Sequence, residues 1–501
     1  MNQTRRQFLA SVTVAGASLT ASVAQASKAI KVPKWDETVD VVVVGAGAAG
    51  LFAALSAHEN KANVLVLEKN PTVYVSTSAV NGGGITAAET KAQKAAGQKD
   101  SKEMFYKEMI QAGNGRNDPL LIKLFVDNAA DTVDWFYDRG MKFFFRGYPG
   151  FSLDRQHSNM SAKGREYIEM LMKEIDAAQI PVRTMTKVER LVDDPETGRV
   201  LGVVAKARGK TIYIQAKRGV VLASGGFAGS AEMVDRFLIP FKGSIVSAAP
   251  SSTGDGMLMA QQIGATNTHM GYGAVYAYGL VTDKEKRRGL IHRGYDMAAV
   301  YGGVIVNKLG KRFVKEESTP TGVALKEVEQ PDATLFVIGD AKMFEGYLNM
   351  KMSGVIGWTH ERVKQEAQEQ KYFITTANTL EELCQKTGIN YEGLKATIEA
   401  HNKYVDMGKD PEFDRKNIKV KFGEGPYAAL RGQPIALAST GGLKVDESLC
   451  VLDAYLEPIP GLYAAGEIIG GLHGAQYLGG CGFSSALTFG RLAGKAAAKH
   501  E

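Results

Sequence analysis

The most evident chemistry in this chain belongs to three glycines. Gly45-x-Gly47-x-x-Gly50 follows four consecutive valines (41–44) and opens an alanine-rich stretch that runs to about His58. In a strand–turn–helix setting Gly45 permits the tight turn, Gly47 lets a pyrophosphate approach the backbone, and Gly50 lets helix and strand pack closely. The helix N-terminus adds free N–H groups and the positive end of its dipole. Glu68 closes the next apolar run, 63–67, where a carboxylate accepts both hydrogen bonds of a ribose diol. The spacing therefore predicts a dinucleotide site on a βαβ unit. Cysteine chemistry is sparse. Cys384, Cys450 and Cys481 are the only cysteines, none lies in C-x-x-C-H, and three are too few for a four-cysteine iron–sulfur cluster. No metal site is expected.

The elements that must hold this turn follow from pattern. Residues 40–44 and 63–68 read as buried strands, 101–140 as helical, 203–223 as strands closing at Ser224-Gly225-Gly226-Phe227, and 256–270 as a helix. Tyr and Gly become frequent after 271, helical stretches return over 341–405, and the tail is Gly-rich, then helical from Ala486. An α/β fold results: a nucleotide-binding domain split into 37–270 and 438–501, with an inserted cap over 271–437. The 501 residues are 45% apolar and 23% charged, enough for a sizeable core. The net charge of +6 is spread without a basic block, so no nucleic-acid partner is expected. Thr4-Arg5-Arg6-Gln7-Phe8-Leu9, a mildly apolar run and Ala24-Gln25-Ala26 resemble a twin-arginine export signal over 1–26. That implies a periplasmic protein, and no later segment reads as a stable membrane span.

Further motifs narrow the cofactor. Ser76-Thr77-Ser78-Ala79-Val80-Asn81-Gly82-Gly83-Gly84, Thr253-Gly254-Asp255-Gly256, Lys311-Arg312-Phe313 with Glu316, Gly461-Leu462-Tyr463-Ala464-Ala465-Gly466-Glu467, Gly470-Gly471-Leu472-His473-Gly474 and Gly490-Arg491-Leu492-Ala493-Gly494 stand in one order. Together they resemble the flavoprotein family of fumarate reductase, succinate dehydrogenase and ketosteroid dehydrogenase. The resemblance implies a Rossmann-like FAD-binding domain with an inserted α+β capping domain. It implies FAD contacts at Gly45, Gly47, Ala49, Gly50, Glu68, Lys69, Ser78, Asn81, Gly82, Gly83, Val188, Ser224, Gly225, Asp255, Gly466, Glu467, His473, Gly480, Phe483 and Ser484. The FAD is expected to be non-covalent, because Thr77 stands where covalent relatives carry His. No second G-x-G-x-x-G follows a strand, so electrons are expected from a separate donor such as a c-type cytochrome.

The substrate side departs from the dicarboxylate reductases of this family. Tyr276 stands at the match to a carboxylate-binding His, Leu437 and Ala438 at a His pair, Tyr477 at a carboxylate-binding Arg, and Pro320 at the catalytic Arg. Losing cations of this kind argues against fumarate. Tyr477 instead matches a ketosteroid dehydrogenase tyrosine that, with a backbone N–H matched here to Cys481, holds a substrate carbonyl oxygen. The resemblance thus implies hydride transfer to or from an α,β-unsaturated carbonyl or carboxylic compound. Tyr477 would be the oxygen-binding group, and Tyr276, ahead of Tyr278 or Tyr295, would handle the proton. Tyr272, Tyr276 and Tyr278 could equally form an aromatic wall. His157 reads as near the pocket or as packing, His473 as a cofactor contact, and His292 and Arg293 as possible substrate contacts or, as charged loop residues, as solvated. Open alternatives are the reverse dehydrogenation, a fumarate- or urocanate-type reductase using Arg293 or Arg312, and a non-catalytic electron carrier.

Overall fold

The computed structural model describes residue 32, residues 34–148 and residues 150–499. The export signal expected over 1–26 lies outside the described residues. The first valine run forms β1 (Glu37–Val44), and the glycine turn leads into α1 (Ala48–Glu59). Then comes β2 (Val64–Leu67). Beside β1 on its other edge lies β3 (Lys210–Leu222), followed by β4 (Pro458–Ala464), both parallel to it in one eight-stranded sheet. The registers Val42↔Leu65, Val42↔Val220 and Leu462↔Val220 align four strand ends, so the loops after β1, β2, β3 and β4 open at one edge. Ligands bind in such crevices at the carboxyl ends of parallel strands. The β-branched runs are buried on both faces, as parallel strands covered by helices require.

The C-terminal helix α2 (Cys481–Lys499) packs on α1. A methyl added at Gly490 would lie 2.3 Å from the Ala49 carbonyl oxygen, and one at Gly494 would lie 2.1 Å from that of Ala53. Small residues on both helices therefore set a close crossing. The helix begins five residues earlier than Ala486, because Gly480 at φ +85° turns the chain directly into it. The expected helix over 101–140 is two, Lys102–Ala112 and Pro119–Asp138, the second capped by the Asp118 side chain. The helix expected over 256–270 spans only Asp255–Gln262, after which Gly264 at φ +94° redirects the chain into a short strand.

Over the strand ends lies a five-stranded sheet made of Gly273–Tyr276, Ile435–Ser439, Ile245–Val246, Arg288–Ile291 and Gly279–Asp283. A four-stranded antiparallel sheet follows, with Val304–Val306, Leu335–Asp340, Tyr427–Gly432 and Ile374–Ala377. Arg312 is buried beneath it. Its guanidinium reaches Glu316 at 2.8 and 2.7 Å and Asp410 at 2.7 Å. Burial alone would raise the Asp410 carboxyl, but hydrogen bonds and charge from Arg312 hold it down at about 2. Arg312 is thus an internal tie of the fold and is unavailable as a catalytic arginine. Arg312→Leu leaves two carboxylates buried without their cation. It is expected to lower unfolding stability in urea by about 3–5 kcal/mol.

Among the described residues no helix is long and apolar enough to cross a membrane.

Candidate functional site

One large cavity, about 1490 Å³ of free space counting its mouth, runs along the glycine turn and the ends of the parallel strands to Tyr477. The turn is fixed from both sides. Glu68 accepts from the Ala46 N–H at 2.9 Å and, with its other oxygen, from the Asn70 backbone and side chain at 2.8 and 2.7 Å. The Ser78 hydroxyl accepts from the Ala48 N–H at the start of α1, at 3.1 Å. Lys69 pairs with Asp255 at 2.7 Å, and Thr253 bridges both.

Of the expected cofactor contacts, Gly45, Gly47, Ala49, Glu68, Lys69, Ser78, Asn81, Val188, Ser224, Gly225, Asp255, Gly466, Glu467, His473 and Phe483 line this cavity. Gly50, Gly82, Gly83, Gly480 and Ser484 are not in its lining. Gly50 lies under the Gly45 carbonyl, Gly83 against the backbone of Lys163, and Gly480 against Thr86 and Gln156. Ser484 turns to the far side of α2 and donates to the Thr86 carbonyl at 2.8 Å, while Gly482, Phe483, Ser485 and Ala486 face the cavity. Thr77, singled out above, lines the cavity too, its hydroxyl 3.0 Å from that of Ser252, while Ser252, Lys187 and Ser439 escaped the list of expected contacts. Lys187 and Ser439 come from strands distant in the chain.

Two buried polar atoms show what the cavity suits. The Ser224 hydroxyl and His473 Nδ1 have no hydrogen-bond partner among the described residues, and both residues line it. Unpaired buried polar groups are costly, so such atoms await a polar occupant. With the bare glycine turn at a helix N-terminus and the buried acid after β2, the donor set fits FAD.

Glu467 accepts from the Ser439 N–H and hydroxyl at 3.0 and 3.2 Å, yet burial raises its carboxyl from 4.5 to about 7. The folded chain therefore holds a proton that the unfolded chain releases. This stability is whole below about pH 4.5 and is lost as pH rises through about 7. In protein freed of its cofactor, Glu467→Gln is expected to abolish that decline in Tm. An unchanged pH profile would refute the assignment.

Tyr477 closes the far end. Its ring lies 4.8 Å from that of His473, and burial drives its hydroxyl well above the ordinary tyrosine range. Gly482, in the first turn of α2, lies against this hydroxyl: a methyl added there would be 2.9 Å from its oxygen. The Cys481 N–H, expected to hold the substrate oxygen together with Tyr477, donates to the Leu478 carbonyl at 3.2 Å, because the chain turns tightly into the helix. The Cys481 thiol is fully buried and pushed up to about 12, so it is no nucleophile.

Tyr276 does not itself line the cavity. It packs in one apolar cluster with Tyr477, Leu437 and Ala438, and its hydroxyl lies 2.8 Å from that of Tyr148, a residue with no sequence signal. The three tyrosines after 271 do not form one wall. A register shift between Ala274 and Val275 breaks the strand's alternation. Tyr272 accepts from Arg116 at 3.0 Å, and Tyr278 is sealed in the core between the rings of His292 and Tyr295. His292 and Arg293 are buried rather than solvated. His292 stacks on Phe373 at 4.7 Å, and burial lowers its imidazole to about 3. His157 is a packing residue between Phe143 and Phe145, bound to Thr90 at 2.8 Å.

Residues 40–483 match the family described as FAD binding domain. The chain is 32% identical over 471 residues to the NADH:fumarate oxidoreductase of Klebsiella pneumoniae (strain 342), an alignment covering 92% of this chain and 48% of that protein, so it spans about half of that relative's length. It is 33% identical over 472 residues to a fumarate reductase (cytochrome) of Shewanella frigidimarina, covering 93% and 78%. Among solved structures, the 3-ketosteroid-Δ4-(5α)-dehydrogenase of Rhodococcus jostii RHA1 with 4-androstene-3,17-dione matches with a TM-score of 0.78 at 28% identity, covering 94% of this chain and 99% of that one. With the cavity built on its first βαβ turn, this chain belongs to the FAD binding domain family, as an FAD-dependent oxidoreductase related to the fumarate reductases.

Proposed function

We propose that the protein reduces the C=C bond of an α,β-unsaturated carbonyl or carboxylic compound. The observation that carries this is the Tyr477 hydroxyl packed against Gly482, both lining the cavity end at the N-terminus of α2. Bound FAD, when reduced, supplies a hydride for the β-carbon. Tyr477 donates a hydrogen bond to the substrate oxygen and stabilises the enolate that develops, with the positive end of α2 behind it. The proton for the α-carbon comes from Tyr276, which lies outside the cofactor cavity's lining but packs with Tyr477 at its end, and Tyr276 is reloaded from Tyr148. Burial keeps Tyr276 protonated until the enolate forms. The relatives named fumarate reductase support this class, and the loss of cations at Tyr276, Leu437, Ala438 and Tyr477 argues for a substrate other than fumarate.

The two electrons would come from a separate carrier, such as a c-type cytochrome, and the N-terminal resemblance supports export to the periplasm. The test is an anaerobic assay with reduced viologen against fumarate, urocanate, cinnamate-type acids and enone steroids. Turnover is expected with two electrons consumed per C=C bond. A flavin-loaded protein that reduces none of them would overturn the proposal.

A further inference from the structure

Two arginines meet beside the tyrosines without an anionic partner. Arg146 ends the strand Phe143–Arg146, two residues before Tyr148; Arg293 lies two residues before Tyr295. Both are tied to one short loop. Arg146 Nη1 reaches Met352 Sδ at 2.9 Å, and Arg293 Nε donates to the Ser353 carbonyl at 3.2 Å. Beyond this, Arg146 donates from Nε to Gln156, and Arg293 from Nη1 to the Tyr295 hydroxyl at 2.9 Å. A thioether is a weak acceptor, so Arg146 is poorly satisfied.

Among the described residues neither arginine has an ion pair, and their side-chain hydrogen bonds run from Nε and Nη1 alone. Asp296 is the carboxylate whose charge reaches both guanidiniums, yet it pairs with neither, and burial raises its carboxyl. Burial and the Arg293 charge together work against the Arg146 cation. An incoming anion would relieve both. Leu437 and Ala438 line the cavity and, with Ile356 and Tyr477, pack on the apolar cluster of Tyr276; the arginines lie outside that lining.

We infer that Arg146 and Arg293 form a docking subsite for one carboxylate, and that the substrate is an unsaturated monocarboxylate whose other substituent is apolar. This rests on the C=C reductase reading above. Two guanidiniums match the paired oxygens of a carboxylate, while the positions that would hold a second one carry Leu437, Ala438 and Tyr477.

The experiment compares trans-cinnamate with its neutral amide, and with fumarate, using the holoenzyme and reduced methyl viologen. Arg146→Met and Arg293→Met are each expected to lower kcat/KM for cinnamate by roughly 10–100-fold and to change that for cinnamamide little, with FAD content unchanged. Fumarate is expected to be the poorer substrate of wild type. Equal losses on acid and amide, or fumarate exceeding cinnamate, would overturn the subsite while leaving C=C reduction standing. No turnover of any enoate or enone by flavin-loaded wild type would remove the underlying reading as well. Should the variants fail to fold, wild type alone decides. 3-Phenylpropionate is expected to perturb the visible flavin spectrum with a Kd about tenfold or more below that of 3-phenylpropanamide. Equal constants would overturn the proposal.

Discussion

Gly50→Ala is expected to purify almost without flavin. A methyl at this position would lie 1.9 Å from the Gly45 carbonyl oxygen and 3.0 Å from its carbon, so the turn must shift. It has nowhere to go. Gly45 sits at φ +103°, where only glycine is comfortable, and its own missing side chain would meet the Ala223 carbonyl at 2.5 Å. The Glu68 carboxylate holds Ala46 from the opposite side. Displacing the turn moves the bare backbone away from where a pyrophosphate must lie. FAD affinity is expected to fall by at least about 100-fold, read as loss of visible flavin absorbance per chain. Gly82→Ala is the control, since a methyl there meets nothing within 4 Å. If Gly50→Ala were as yellow as the control, the turn would not be the cofactor's cradle.

Tyr477→Phe carries the second large effect and acts on a different quantity. The ring that packs against His473 is retained, so flavin content and Tm are expected to stay near wild type. Only the hydroxyl beside the Gly482 amide is removed. A single donor to a developing oxyanion is worth about 3–4 kcal/mol, so kcat is expected to drop roughly 10²–10³-fold with a smaller change in KM. Because burial keeps this hydroxyl protonated well beyond the ordinary tyrosine range, wild type is expected to show no loss of rate at moderately alkaline pH from its ionisation. Tyr272→Phe, whose hydroxyl binds Arg116 elsewhere, is expected to be neutral. Undiminished turnover in Tyr477→Phe would exclude it as the oxygen-binding group.

The two predictions lie at opposite ends of what a linear reading reaches. The cofactor cradle is local. Four valines, a glycine turn and a following acid define β1, its turn and the end of β2 within about thirty residues, and each residue type answers to a backbone requirement that sequence states directly. Gly466, Glu467 and the start of α2 belong to the same cavity only because β4 docks beside β3; the family likeness supplied them, not periodicity. Ser484 shows the limit. One residue along a helix is about 100° of turn, so naming Ser484 rather than Ser485 puts the hydroxyl on the wrong face.

What the sequence by itself determined was the βαβ cofactor turn and the α/β class. These depend on residues near one another in the chain or on ordered motifs. Only the tertiary structure decided which tyrosine lies by which, that Arg312 is locked to Glu316 and Asp410, and that Arg146 and Arg293 converge on the 352–353 loop. The reason is physical. Side chains about 150 positions apart become neighbours only when separate sheets close on one another, and burial, the force that closes them, reads apolar area rather than the identity of the polar groups it carries inward.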